Sequence, residues 1–300
     1  MTGAAKILQA PAARRESRFT LFRSVFLANK LMLLGAILTM IFVIAGVVGL
    51  VVLNVHDLND LWSKQQLSQA LKPPLTPGHL LGTDNFGRDM FWRIIAGTGV
   101  SLLIGVVITF FSMIVGMTMG TLAGYYGGWT DRLIGGLIDL TWGFPVILVA
   151  VIFAAMLEPG FAAIILAVSV VNWAGFARII RAQAMSLRQR EFVEAARALG
   201  ISDVKIVIRH IVPHTISTTL VMASYYIAVS VIVEAGLSFI GLGLQPPTPS
   251  LGQMVADGRN YLSVSAWTAV LPGVTIALIV LGLNTLGDGL RDFADPRLGR

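Results

Sequence analysis

The chain has 300 residues, 55% of them hydrophobic and 13% charged, with a mean hydropathy of +0.78. That balance excludes an ordinary soluble globular domain. The net charge of +6 comes without a single cysteine, which excludes disulfides and thiolate metal sites and leaves the charge to be explained by its placement.

Residues 1–30 form a basic tail, and residues 1 to about 22 read as a loose segment near lipid headgroups. A hydrocarbon core of about 30 Å needs roughly 20 apolar helical residues, and residues 31–53 supply them without a charge. The run is longer than a signal-peptide core, and Leu53-Asn54-Val55-His56 lacks a small-x-small cleavage site. An external segment, 54–95, leads into a five-helix core domain at 96–290. Its predicted spans are Val100–Gly124, Leu133–Leu157, Phe161–Ala177, Thr215–Val233 and Ala266–Gly287. Residues 291–300 form a short C-terminal tail. The expected fold is therefore an all-α integral membrane protein with six transmembrane helices.

Lysine and arginine set the orientation. With the N-terminus in the cytosol, seventeen of the 22 basic residues fall on inside segments. Only Lys64, Lys72, Arg88, Arg93 and Arg259 fall outside. Both termini and the long polar loop at 186–213 are predicted to be cytosolic. The basic charge is an insertion signal and not a nucleic-acid footprint.

Within that loop, Arg188–Leu199 reads as an amphipathic helix, with Phe192, Ala195, Ala196 and Leu199 as its apolar face. Gly200 follows where a helix ends in the left-handed conformation. Ser202 is placed to cap a second helix running towards His210, and Pro213 suits the start of span five. The result is a helix–turn–helix whose small Ala195-Ala196 surface invites close approach by a partner.

The ordered set Glu194-Ala195-Ala196, Gly200, His210 and Pro213 resembles the Glu-Ala-Ala coupling loop of ATP-binding-cassette importer permeases. The external block His79-Leu80-Leu81-Gly82-Thr83-Asp84 with Gly87-Arg88-Asp89 is similar to that of dipeptide and oligopeptide permeases. So are Gly120 to Gly128, Gly241 to Pro249, and Gly287 to Asp292. A single span before the Gly-Thr-Asp block looks like the C-type member of the permease pair. The resemblance covers about residues 25–300; Val212 stands where leucine is commoner. It implies a type I importer permease in a bacterial-type inner membrane, paired with a second, homologous permease. It also implies two cytosolic ATPases that bind ATP and Mg, and an external solute-binding protein that delivers peptide. Glu194 would make a polar contact with the ATPase, Ala195 and Ala196 the close-packing surface, and Gly200 the turn. The chain has no Gly-x4-Gly-Lys-Ser/Thr phosphate loop, so hydrolysis is expected in the partners.

Other residues have competing readings. Gly116, Gly120 and Gly124 share one face of span two and favour packing within the subunit. Asp139, near the cytosolic end of span three, reads as a solvated or arginine-paired anchor more readily than as a substrate contact. Glu234, at the outer end of span five, has better access to a pathway. Asn172 and Asn284 are explained by interhelical hydrogen bonds. Docking of the binding protein is expected along Thr83–Asp89 and the Pro246-Pro247-Pro249 loop, with a rigid connection equally open. His79 has no partner at metal-ligand spacing, so a metal site in this chain gains no support. Within the importer reading, nickel, glutathione and small peptides all stay open as solutes. A gradient-driven secondary transporter is the rival class, with Asp139 as its best support.

Overall fold

A computed structural model describes residues 29–294. The tail before residue 29 and the end of the C-terminal tail lie outside it. The first helix, α1 (Lys30–Asn54), starts where Asn29 Oδ1 accepts the free backbone N–H groups of Leu31 and Met32, at 3.1 and 3.2 Å. A short helix, α2 (Asn59–Ser63), leads into an irregular polar segment. The next helix, α3 (Met90–Tyr126), runs for 37 residues, ten earlier than the predicted span, because the Asp89 carboxylate caps it by accepting from Trp92 N–H at 3.1 Å.

The third predicted span is not one helix. It divides into α4 (Gly128–Trp142) and α5 (Val146–Ala155), which meet at 90°. Between them stand Gly143, Phe144 and Pro145. Proline lacks the N–H that would continue the ladder and pushes the preceding residue out of the helical region. Ten residues span about 15 Å, half a hydrocarbon core, so α5 alone does not cross.

The pair must nonetheless return across the bundle, because α3 and α6 (Phe161–Arg188) run parallel. Ser169 Oγ donates to Ile108 C=O, Gly116 meets Trp173 and Phe176, Gly120 meets Ala177, and Gly124 meets Arg181. A methyl group on Gly120 would lie 2.5 Å from Ala177 O. The stripe of small residues is thus spent on packing inside the subunit, as the sequence favoured, and lets the two backbones touch.

The chain then forms α7 (Glu191–Ala198), α8 (Asp203–Ile206), a π-helical turn (Val207–Ile211), α9 (Val212–Phe239), α10 (Leu251–Gly258) and α11 (Trp267–Ala294). The second helix of the polar loop does not stop before span five. Residues 203–239 are one helical run in which the π turn, with Val212 N–H donating to Val207 C=O, precedes Pro213. Widening the ladder there makes room for a proline ring and its missing donor. Pro213 still lies in the first turn of α9. Among the described residues five helices are long and apolar enough to cross a membrane unbroken, and α4 with α5 makes a sixth, bent crossing. Among the described residues there is no strand. Gly289 of α11 packs on Met32 of α1, so both described chain ends lie at the end of the bundle that carries α7. The opposite end carries residues 55–89 and α10, which packs between α9 and α11.

Candidate functional site

The α7 helix ends in a Schellman motif. Ile201 N–H donates to Ala196 C=O at 3.1 Å, and Gly200 N–H to Arg197 C=O at 2.9 Å. Gly200 takes φ +76°, the left-handed conformation expected of it, and the space around it is open. Its backbone conformation, not crowding, is what requires glycine. Ser202 has the extended backbone of a cap, but its hydroxyl makes no capping bond, contrary to expectation.

The four residues assigned above to one apolar face divide between two. Val193 and Ala196, three residues apart, turn inward and pack with Tyr125, Ala184, Ile206 and Ile211. Ala196 is only 5% exposed, so it serves this chain's own packing and is not the free partner surface predicted for it. Ala195 remains exposed, with Phe192 and Leu199 beside it on the outer side. Leu199 is 81% exposed, and Val204 and Ile208 continue an apolar surface across the turn. Glu194 lies exposed on the same short helix.

Several side chains tie this helix–turn–helix to the bundle, and of these the sequence reading named only Phe192 and His210. Tyr125, in the last turn of α3, donates its hydroxyl to Asp203 Oδ1 at 2.6 Å. The Arg197 guanidinium lies 5.1 Å from the Tyr125 ring centroid and 3.9 Å from Asp203. Phe192 stacks on His214 with centroids 5.4 Å apart, and His210 stands 6.2 Å from the same ring. The ends of α3 and α6 and the start of the 203–239 helix therefore converge under α7. Three long helices thus meet against one short one.

The remaining candidates are structural or unpaired. Asn172 Nδ2 donates to Ser230 Oγ at 3.1 Å, joining α6 to α9 as expected. Asn284 does not follow suit: among the described residues its Oδ1 has no partner. Asp139 is exposed on α4 without an ion pair among the described residues, while nearby Arg181 is spent on Asp131, Nη2 to Oδ2 2.8 Å. Glu234 is fully buried, which removes the pathway access predicted for it. Ser101 Oγ of α3 donates to its Oε2 at 3.0 Å and Ser238 Oγ to its Oε1 at 2.8 Å. Leu251 N–H, opening α10, donates to the same Ser101 Oγ, so the carboxyl group joins three elements.

Thr83, Asp84 and Arg88 are buried, so most of the expected docking strip is a rigid connection, and only Phe86 stands out from it. Asp84 accepts from the backbone N–H groups of Phe86 and Arg88 and from Arg88 Nε. His79 is held between Asp89 and Gln69, 2.7 and 2.9 Å away.

A bundle of five continuous helices and one broken crossing, with a rigid polar helix–turn–helix at one end, defines a multi-pass membrane permease subunit. The chain belongs to the family of binding-protein-dependent transport system inner membrane components, which it matches over residues 116–300. It is an inner-membrane permease subunit of an ATP-binding-cassette importer, which sets aside the gradient-driven alternative. It is 36% identical over 270 residues to the dipeptide transport system permease protein DppC of Alkalihalophilus pseudofirmus, covering 90% of this chain and 87% of that one. Over 220 residues, 73% of each chain, it is 42% identical to the glutathione transport system permease protein GsiD of Pectobacterium atrosepticum. The inward-facing MetNI methionine ABC transporter shares the fold, with TM-score 0.56 at 21% identity, covering 69% of this chain and 98% of that one.

Proposed function

We propose that this chain forms half of the translocation pathway of an importer for short peptides. A second, homologous permease supplies the other half, and α7 is the contact for a cytosolic ATPase. The observation that carries the reading is the outward apolar surface of Phe192, Ala195 and Leu199 on a helix whose inner side is fixed to α3 and α6. A membrane crossing needs no such surface; a motor that moves helices does. The seventeen-to-five distribution of basic residues supports a cytosolic location for this end and both termini. ATP and Mg belong to the two partner ATPases, and closure of the ATPase pair moves α7 and opens the pathway outward. An external binding protein delivers the solute. The names of DppC and GsiD favour a dipeptide, an oligopeptide or glutathione.

Tagged chain purified from native membranes in mild detergent tests the assembly. A second permease and ATPase subunits should co-purify, and proteoliposomes of that complex should take up dipeptide with ATP and the binding protein. A chain recovered alone under conditions that preserve known complexes would refute the reading.

A further inference from the structure

At the end of the bundle opposite α7, a pocket of 460 Å³ opens between the segment before α3, the loop after α9, and α10. Arg88, Arg93, Gln253 and Asp257 line it. Arg93 and Tyr125 sit near opposite ends of α3, about 48 Å apart on an ideal helix, so this is not the ATPase-facing surface.

The pocket holds unspent hydrogen-bonding capacity of both signs. Arg93 is 2% exposed, yet among the described residues its Nη1 has no acceptor and its Nε only approaches Asp84 Oδ2, at 3.3 Å. Arg88 donates through Nε to Asp84 at 2.7 Å, and its Nη groups have no acceptor among the described residues. Asp84 relieves them only in part: its Oδ1 accepts from the Phe86 and Arg88 N–H groups and its Oδ2 from Arg88 Nε. On α10, Gln253 is 8% exposed and its Oε1 has no donor among the described residues. One turn further on, Asp257 forms no ion pair within 4.0 Å among the described residues. Buried polar groups without partners are costly, by about 1–3 kcal/mol for a neutral group and more for a charged one. A ligand that meets both sets of groups recovers that cost. An inorganic anion would leave Gln253 and Asp257 unmet, and a metal cation would face two guanidinium groups.

We propose that this pocket is a terminus subsite for a zwitterionic solute, an amino acid or short peptide. The guanidinium groups of Arg88 and Arg93 take its carboxylate, and Gln253 Oε1 and Asp257 take its ammonium group. The proposal deepens the importer reading and rests on it for the pocket's place on the solute's route. Burial pushes the Asp257 carboxyl up against the pull of Arg93 and Arg88, so a bound ammonium group would favour its charged form.

The test uses the assembled transporter in nanodiscs without the binding protein, with dialanine as probe and saturation-transfer NMR as readout. Dialanine should bind, and N-acetyl-dialanine and dialanine amide should each bind roughly tenfold more weakly, a factor of the size one lost charged contact removes. Asp257→Asn and Gln253→Leu should weaken dialanine and erase the discrimination against the acetylated form. Both positions are preferred to Arg88 and Arg93, which also hold Asp84 and the fold around it. Equal binding of free and blocked peptides overturns the proposal, as does unchanged binding in both variants. Uptake is measured in parallel. Pocket binding without dialanine uptake strikes the peptide-importer reading and supports the subsite; uptake without pocket binding overturns the subsite alone.

Discussion

The Tyr125 hydroxyl donates to Asp203 Oδ1 at 2.6 Å, joining the last turn of α3 to the first turn of the helical run that becomes α9. The residues are 78 apart in sequence, and Arg197 of α7 lies against both. A movement of α7 would reach α3 and α9 through this polar junction.

Tyr125→Phe keeps the ring beneath Arg197 and removes only the bond. A hydrogen bond to a charged acceptor contributes about 1.5–3 kcal/mol, and partial exposure of Asp203 brings this nearer 1. The variant should assemble with ATPases as the native chain does and hydrolyse ATP, but take up several-fold less solute per ATP. Asp203→Asn should act in the same direction. Unchanged uptake per ATP in both variants would remove the junction from the coupling route.

Gly200 is a sharper case because nothing crowds it. Its φ of +76° costs a non-glycine residue about 1–2 kcal/mol, more for a β-branched one and less for asparagine. Gly200→Val should impair uptake while the chain stays in the membrane, and Gly200→Asn should restore most of it. Equal damage from both would point to something other than backbone conformation.

Glu234 separates structure from pathway. Enclosed by Ser101 and Ser238, it should tolerate Glu234→Gln, which keeps an acceptor in place. Glu234→Lys should empty the membrane of chain, since a second charge type would be buried without a partner. In Glu234→Gln, uptake per folded transporter and the apparent KM should match the native values. A raised KM at normal abundance would return Glu234 to the solute route.

Much of this was legible because it is local. Charge-free length marked α1, the left-handed C-cap marked Gly200, and four-residue spacing marked the Gly116–Gly124 stripe. The bend between α4 and α5 was also written in Gly143-Phe144-Pro145, but the apolar composition of residues 133–157 masked it. The faces of α7 were misassigned because a periodic pattern does not say which of two apolar stripes meets its own bundle; Val193 decides that, by packing on Tyr125 and Ile206. Long-range partners left no trace. Ser101 and Glu234 are 133 residues apart, and nothing in the sequence aligns Arg93 with Gln253 and Asp257.

The chain has no cysteine, so Leu199→Cys introduces a single thiol on the outer side of α7, where the native side chain is 81% exposed. In inverted membrane vesicles containing the assembled transporter, a short thiol-directed cross-linker should join this residue to an ATPase subunit. A matching thiol at Leu80→Cys, at the opposite end of the bundle, should not be joined to it. ATP should change the Leu199→Cys yield. No ATPase adduct from Leu199→Cys, or an equal adduct from Leu80→Cys, would contradict the assignment of α7 as the coupling helix.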